Sequence, residues 1–303
     1  MDFSYRFLEK QDQMIKTYAK KLGISKALLA KIKFQGGKIT VNGQEENVLY
    51  RLHHGDELVI TIPDEQEHET VLCDETPIDI VYEDEHLLVV NKPAQVASIP
   101  SQYHPNGTMV NRVKAYYKRQ HYRNQVIHVV TRLDRDTTGL MLFAKHGFCH
   151  ALLDQQLRQK QIQKTYQALV TGEVIKLSPH GYLSGNIARD LSSLLKRQVV
   201  PSTEGRTALT EYWKEDFGQK QALLNIRLHT GRTHQIRVHF AHENCPLVGD
   251  DLYGGAMDEG MERQALHCRQ LQLVHPFTKE KLTLNQPLPR DMKEVLARWQ
   301  KED

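Results

Sequence analysis

The sequence lacks the features that mark membrane-spanning and secreted proteins. It has no run of about 18 apolar residues, the length at which a helix can span a bilayer. Residues 1–4 show no basic segment leading into an apolar one, so we expect no signal peptide. Zinc-ribbon spacing is also absent, since no Cys-x-x-Cys pair occurs among Cys73, Cys149, Cys245 and Cys268. We therefore expect a cytosolic protein with reduced thiols.

Basic residues are absent from one acidic segment of the chain. Residues 63–90 hold ten acidic residues and no lysine or arginine, whereas residues 1–62 hold ten basic and seven acidic ones. Residues 91–303 hold the other 30 basic and 20 acidic residues, so the net charges of +3, −10 and +10 sum to +3. Two basic regions around an acidic connector suggest a polyanionic partner such as RNA, although ordinary surface lysines would give the same composition.

The first 63 residues predict a small α+β domain. Apolar residues at helical spacing predict a helix over 10–22 that stops at Gly23, and Ser25 can cap a second helix. Short strands and turns follow. The side chains expected to point outward from this part are Lys26, Lys31, Lys33 and Lys38. A basic helix pair on a small sheet offers point charges to phosphates, and a module that binds another protein is the alternative.

Residues 64–76 are acidic and poor in apolar residues, which predicts a linker. Few contacts should cross such a boundary, and its negative charge should keep the two domains apart in the free protein. In residues 77–303, strands are predicted at 78–82, 87–90, 165–170, 207–213, 221–228 and 271–274, and a helix at 149–161. Few other helical patterns occur. This composition is typical of an α+β domain with a mixed, mainly antiparallel sheet.

A charge-dense segment precedes an apolar one at residues 131–144. Residues 131–139 read Thr-Arg-Leu-Asp-Arg-Asp-Thr-Thr-Gly, and an apolar strand should begin at Leu140. A polar loop that leads into a buried strand is a common place for reactive groups, and a charged surface turn is the alternative. The segment carries two carboxylates, Asp134 and Asp136, and Asp136 is expected to order the turn.

A second block, residues 231–239, reads Gly-Arg-Thr-His-Gln-Ile-Arg-Val-His. Polar residues at 235, 237 and 239 alternate with apolar ones at 236, 238 and 240, which is typical of a two-faced strand. Further blocks cover 87–93, 164–168, 249–255 and 266–268. Together the blocks resemble the RluA family of RNA pseudouridine synthases from about residue 77 to the C-terminus, except that Thr131 replaces the family's usual histidine. Residues 12–62 resemble an S4-type RNA-binding domain.

The resemblance implies the pseudouridine synthase fold and a known reaction. The N1–C1′ bond of uridine breaks, the uracil turns over, and it rejoins the sugar through C5 without redox change, metal or other cofactor. Asp134 matches the family's catalytic aspartate, and Arg237 matches the partner that holds this carboxylate ionised. Tyr166 matches the residue that can stack on the uracil or handle the C5 proton, although a core tyrosine is the alternative.

Arg132 matches the family position whose side chain can fill the gap left by the flipped nucleotide. A guanidinium plane stacks well on a base, so this residue type suits that role. Threonine at position 131, in place of the family's usual histidine, should affect how the flanking bases are held more than it affects catalysis.

Two other functions are compatible with the sequence. A metallohydrolase would draw on four histidines within fourteen positions, but residues 234 and 239 would face opposite sides of a strand, and no His-Glu-x-x-His motif occurs. The four are His229, His234, His239 and His242. A non-catalytic RNA-binding or ribosome-assembly factor would share the basic regions, but the presence of Asp134, Tyr166 and Arg237 favours an enzyme.

The sequence thus predicts an RNA pseudouridine synthase, which is an isomerase, with three parts. These are an S4-like domain at 1–63, an acidic linker at 64–76 and a catalytic domain at 77–303. We expect a cytoplasmic monomer that acts on structured RNA, with ribosomal RNA as the first candidate substrate and transfer RNA as the second. RNA contacts are expected from Arg132 and from the four lysines named above, and no cofactor, metal or membrane is expected.

Overall fold

The N-terminal part consists of a small sheet and two helices. The computed structural model describes residues 1–65, 71–216 and 218–302. The elements of this part are β1 (Asp2–Arg6), β2 (Gln13–Met14), α1 (Ile15–Lys21), α2 (Lys26–Phe34), β3 (Lys38–Val41), β4 (Gln44–Glu45), β5 (Arg51–Leu52) and β6 (Glu57–Thr61). The sheet order is β1-β6-β3-β4, and β2 pairs with β5. The Ser25 side chain accepts a hydrogen bond from the Leu28 amide at 3.1 Å, which confirms the predicted helix cap.

The first helix is shorter than its apolar spacing predicts. Gln13 and Met14 pair with Leu52 and Arg51, so the chain enters the helix at Ile15 instead of near residue 10. Gly23 follows the helix with a φ of +86°, a conformation that glycine adopts without strain.

The rest of the chain builds one large sheet with helices on both faces. Its elements are β7 (Asp79–Glu83), β8 (Leu87–Lys92), α3 (Met109–Arg119), β9 (His128–Val129), β10 (Thr138–Ala144), α4 (Gly147–Arg158), β11 (Gln163–Thr171), β12 (His180–Arg189), β13 (Arg197–Val200), β14 (Arg206–Asp216), β15 (Gln221–Leu228), α5 (Gln235–His242), β16 (Leu266–Val274), β17 (Lys281–Asn285) and α6 (Arg290–Glu302). Short 3-10 helices cover Val174–Lys176 and Asp251–Tyr253.

The order of the large sheet is β13-β12-β14-β15-β11-β16-β10-β8-β7, with β17 beside β16 and β9 beside β10. Strands β10 and β16 run parallel, while the other described pairs are antiparallel. The predicted α+β class with a mixed, mainly antiparallel sheet is confirmed.

Alternating residues along the central strands face different helices. Along β8, Leu87 and Val89 share a cluster with α4 and α5, while Leu88 and Val90 share a cluster with α3. Helix α6 covers the α3 side farther along the sheet, where it packs on Leu169. Both sides of these strands are buried, which explains their continuous apolar sequence. No helix among the described residues is both long and apolar enough to cross a bilayer.

The predicted strand character of residues 235–240 is wrong, because this segment forms helix α5. Every residue from 235 to 240 is buried, so these residues have no solvent-facing side to give the sequence a helical period, and only His242 at the end of the helix is exposed. Its polar side chains are bonded internally, as shown by Gln235, whose Nε2 donates to the Leu209 carbonyl at 3.0 Å.

Contacts between the two parts are more extensive than the acidic linker predicts. Phe148 of α4 is 1% exposed and belongs to the apolar cluster of the N-terminal part, and Phe277 packs against that cluster. The Phe3 ring lies 5.1 Å from both of these rings. Glu65, in the linker, lies 2.7 Å from His128 and accepts a hydrogen bond from the Gly147 amide. Apolar burial thus outweighs the charge pattern, and the predicted separation of the two parts is wrong.

Candidate active site

Four of the predicted site residues line one cavity with a volume of about 610 Å³. They come from three places in the chain: Arg132 and Asp134 from the loop before β10, Tyr166 from β11, and Arg237 from α5. The cavity also contains Lys164. The structure therefore brings together residues from three sequence blocks, 131–139, 164–168 and 231–239, which span about a hundred positions.

The four lysines expected to contact RNA lie elsewhere. Lys26, Lys31 and Lys33 are on α2 and Lys38 begins β3, and all four are exposed. None of them lines this cavity. The predicted site residues therefore fall into two groups, one that lines the cavity and one on the surface of the N-terminal part.

The loop that carries Asp134 is held by hydrogen bonds along its length. Ser98 Oγ donates to the Leu133 carbonyl at 2.6 Å and accepts from the Leu133 amide at 3.0 Å. Asp136 accepts a hydrogen bond from the Gln95 amide, which confirms that it orders the turn. Thr131 is buried, and its Oγ1 accepts from the Leu142 amide at 3.0 Å. Asp134 is thus presented on a loop with little freedom to move.

Gly139 ends this loop at a point where only glycine fits. Its φ is +107°, and a Cβ there would lie 2.3 Å from the carbonyl oxygen of Cys268. This close approach is where β10 begins its parallel pairing with β16. The glycine of the first sequence block therefore has a structural role, which is to join the loop that carries Asp134 tightly to the sheet.

Lys92 supports the same loop from below, and its role was missed from the sequence. It is fully buried, and its Nζ donates to the carbonyl oxygens of Pro93, Val96 and Arg135 at 2.7 Å each. Arg135 directly follows Asp134. Burial lowers the pKa of Lys92 to about 7, although nearby Asp136 and Asp134 oppose this change. The available signal was a lysine at the end of an apolar strand, where a charge needs a specific partner.

Arg237 has a closer partner than Asp134. Its Nε and Nη2 donate to the two carboxylate oxygens of Asp250 at 2.7 Å each, and the Asp250 side chain is fully buried. Asp134 Oδ2 lies 4.0 Å from Arg237 Nη1. The guanidinium is therefore anchored by a two-bond contact on one side and presents its remaining edge to Asp134. Asp250 was missed as a site residue, although it lies in the block at 249–255.

Tyr166 and Lys164 lie next to each other on β11. Tyr166 is 4% exposed, and burial raises its pKa well above the ordinary value of 10.0, so its hydroxyl is a neutral phenol at pH 7. The Lys164 ammonium lies 5.3 Å from the centre of the Tyr166 ring. Burial lowers the pKa of Lys164, while Asp134 opposes this shift. Lys164 is thus a second cation close to the carboxylate that the sequence did not single out.

The histidines that were compatible with a metal site have separate partners. His229 Nε2 lies 2.9 Å from Glu211, His234 Nδ1 lies 3.0 Å from the Tyr253 hydroxyl, and His239 Nδ1 lies 2.9 Å from Thr210 Oγ1. Residues 234 and 239 lie at the start and inside of a helix, so the strand argument used against this pair does not apply. Across residues 1–65, 71–216 and 218–302, no group of three metal-binding side chains is found.

Comparisons with known proteins agree on one family. Residues 86–242 match the family model described as RNA pseudouridylate synthase. The RNA pseudouridine synthase YjbO of Bacillus subtilis (strain 168) is 42% identical over 282 residues, which cover 93% of this chain and 98% of that protein. The ribosomal large subunit pseudouridine synthase D of Yersinia pestis is 36% identical, with 86% of this chain and 82% of that protein covered.

A solved structure supports the fold. Human RNA Pseudouridylate Synthase Domain Containing 4 matches with a TM-score of 0.59 and covers 73% of this chain and 93% of that one. Its sequence identity is 24%, so this likeness concerns the fold alone.

Proposed function

The chain belongs to the RluA family of RNA pseudouridine synthases, and we propose that it isomerises specific uridines of ribosomal RNA with Asp134 as its catalytic carboxylate. The observation that carries the proposal is the meeting of Asp134, Tyr166 and Arg237 at one cavity. Ribosomal RNA is proposed because several relatives, including the Yersinia pestis protein, carry a large-subunit ribosomal name. Transfer RNA is the second candidate substrate.

Asp134 performs the charge-dependent step in this proposal. As the N1–C1′ bond breaks, its electron pair moves onto the uracil and positive character develops at C1′, which a carboxylate stabilises by charge or by covalent attack. The uracil then turns and C5 bonds to C1′, displacing the carboxylate if it has attacked. The C5 proton leaves to solvent and N1 takes up a proton, so the reaction is an isomerisation. The Asp134 side chain is 31% exposed, so a nucleotide that enters the cavity can reach it.

The surrounding residues position the carboxylate and the base. Arg237, fixed by Asp250, keeps a positive charge 4.0 Å from Asp134 and orients its carboxylate toward the cavity. Tyr166 supplies a ring on which the flipped uracil stacks, and its neutral hydroxyl donates a hydrogen bond. Arg132 is exposed beside the cavity, where its guanidinium can occupy the space that the uridine leaves in the RNA.

The N-terminal part is proposed as an S4-like RNA-binding domain that spans residues 1–63, with a linker at 64–76. Support comes from the exposed positions of Lys26, Lys31, Lys33 and Lys38, which suit contacts with phosphates. The proposal further assigns the protein to the cytoplasm as a monomer. Analytical ultracentrifugation of the purified chain measures the second of these points.

Asp134→Asn tests the proposed function. The substitution keeps the side-chain shape and removes the charge, so we expect a folded protein without measurable isomerisation. The measurement is tritium release from C5-labelled uridine in unmodified transcripts of ribosomal and transfer RNA, with RNA affinity measured in parallel. Affinity should change little, because phosphate contacts carry most of it. Turnover by the Asn variant would refute the role of Asp134, and turnover by the wild type on transfer RNA alone would refute the ribosomal assignment.

A further inference from the structure

The loop between β12 and β13 exposes three leucines. This segment, residues 190–196, is called the leucine loop below. Leu191 is 95% exposed, Leu194 is 76% exposed and Leu195 is 58% exposed. Single exposed apolar residues are ordinary, but three within five positions form a patch, and such patches mark binding surfaces.

Hydrogen bonds give the leucine loop a defined shape. The amide and hydroxyl of Ser192 both donate to Asp190 Oδ1, at 2.9 and 2.7 Å. Ser193 Oγ accepts from the Lys196 amide at 3.1 Å, and the Asp190 amide donates to the Lys196 carbonyl at 3.1 Å. The leucines are therefore displayed by a folded loop, so a partner can bind them with little loss of loop entropy.

The base of the leucine loop is fixed to the candidate active site. The Arg197 amide donates to the Tyr253 hydroxyl at 2.8 Å, and that hydroxyl lies 3.0 Å from Nδ1 of His234, which lines the cavity. The strands on either side of the loop pack on α5, the helix that carries Arg237, through Ile187 and Val199 against Val238. The leucines thus hold a set position relative to the cavity.

The charges around the leucines suit a polyanion. Four cations lie in residues 186–206, against the two acids Asp190 and Glu204; the cations are Arg189, Lys196, Arg197 and Arg206. Asp190 is engaged by Ser192 within the loop. Cations beside apolar side chains match RNA, whose phosphates take the charges while its base planes take the apolar contacts.

We propose that the leucine loop is a second contact surface for the RNA substrate, on which the leucines pack against unstacked bases next to the target uridine. Flipping a nucleotide disturbs the stacking of its neighbours, and apolar side chains that cover the base faces not covered by Arg132 recover part of that cost. The proposal rests on the RNA pseudouridine synthase function and adds a contact outside the cavity.

The test replaces all three leucines in the full chain: Leu191→Ser, Leu194→Ser and Leu195→Ser. The probe is an unmodified transcript of large-subunit ribosomal RNA with tritium at uridine C5. We expect Kd and KM to rise about tenfold, which corresponds to about 1.4 kcal/mol, while kcat stays unchanged. The slope of log Kd against log salt should also stay unchanged, because apolar contacts release no counterions.

The matched control is Ile175→Ser, since Ile175 is 73% exposed on a different surface segment. It should leave Kd and KM unchanged. If the triple variant is unstable, the single variant Leu191→Ser takes its place and should show a smaller rise in Kd and KM. Unchanged Kd and KM in the folded leucine variants overturn the proposal. The proposal is also overturned if the wild type is a dimer, the leucine variants are monomers and RNA affinity is the same in both. The patch would then serve self-association.

The binding assay that gives Kd does not depend on isomerisation of the RNA. The proposed catalytic function and the proposed role of the leucine loop can therefore fail separately. A wild-type protein that binds the transcript but releases no tritium would refute the catalytic function on that RNA. The leucine loop would still be judged by the change in Kd.

Discussion

Two lysines of the N-terminal part and two cations near the cavity differ in how completely they are bonded. On the N-terminal part, the Lys31 and Lys38 side chains are 52% exposed and lie 3.9 and 3.6 Å from single carboxylates. Around the cavity, Lys92 and Arg237 are buried and each makes two or more short hydrogen bonds. Exposed pairs contribute little to stability, whereas buried ones fix geometry. The first region is suited to attracting RNA, and the second to holding the site in place.

Arg237→Met should produce the largest effect, because it breaks the most buried of these pairs. The Asp250 side chain is fully buried, so its carboxylate would lose both short hydrogen bonds and keep its desolvation cost. Breaking such a pair costs about 3–5 kcal/mol of unfolding free energy. We expect this loss in urea titrations, together with the loss of tritium release, since Asp134 would lose its neighbouring charge.

Arg290→Met is the control for this comparison. The Arg290 side chain is 93% exposed and pairs with Glu294 one helical turn away, so its removal should change neither stability nor activity measurably. Equal effects from the two arginine variants would show that burial does not separate the two classes of cation.

Lys92→Met should alter how stability depends on pH. The unfolded chain keeps the Lys92 proton up to the ordinary pKa of 10.5, whereas the folded chain releases it near pH 7. Between these values the unfolded state binds more protons at Lys92, so the contribution of Lys92 to the stability of the wild type rises with pH, by at most about 1.4 kcal/mol per pH unit. The Met variant should lack this rise and should also lose activity, because three carbonyl oxygens in and beside the loop that carries Asp134 lose their donor.

Urea titrations at several pH values between 7 and 10 measure the difference between the two proteins. Lys33→Met is the control, since Lys33 is exposed on α2 and should leave the wild-type profile in place. A parallel pH profile for Lys92→Met and the wild type would contradict the assigned role of Lys92.

The sequence predicts strands and the positions of reactive residues better than it predicts their partners. Strands such as β11 and β15 were predicted because each contains a short apolar run, at 168–170 and 222–224, between polar residues. Helix α5 was missed because its first six residues are all buried, and α3 was missed although its apolar residues have helical spacing. A helix buried on every side loses the period that identifies it.

Partners that lie far apart in sequence could not be predicted from local pattern. Arg237 was expected to bind Asp134, but its short hydrogen bonds go to Asp250, which the second block alone does not reveal. The burial of Phe148 against the N-terminal part is another example, since it depends on how the two parts pack. Both outcomes are set by tertiary packing, which a charge or hydropathy pattern does not encode.

Replacing the four exposed lysines of α2 and β3 together should have the smallest effect on stability, but it should change RNA affinity and its dependence on salt. A variant with Lys26→Gln, Lys31→Gln, Lys33→Gln and Lys38→Gln should keep its unfolding free energy and kcat, because these exposed side chains lie outside the cavity. RNA affinity should fall, and the slope of log affinity against log salt should become shallower by roughly 0.7–0.9 for each phosphate that a lysine no longer neutralises.

A variant in which Lys220, Lys281, Lys293 and Lys301 become glutamine has the same net charge and should keep the wild-type slope. Equal slopes for the two quadruple variants would show that net charge alone attracts RNA, and the exposed lysines of α2 and β3 would then be better explained as a surface for a protein partner.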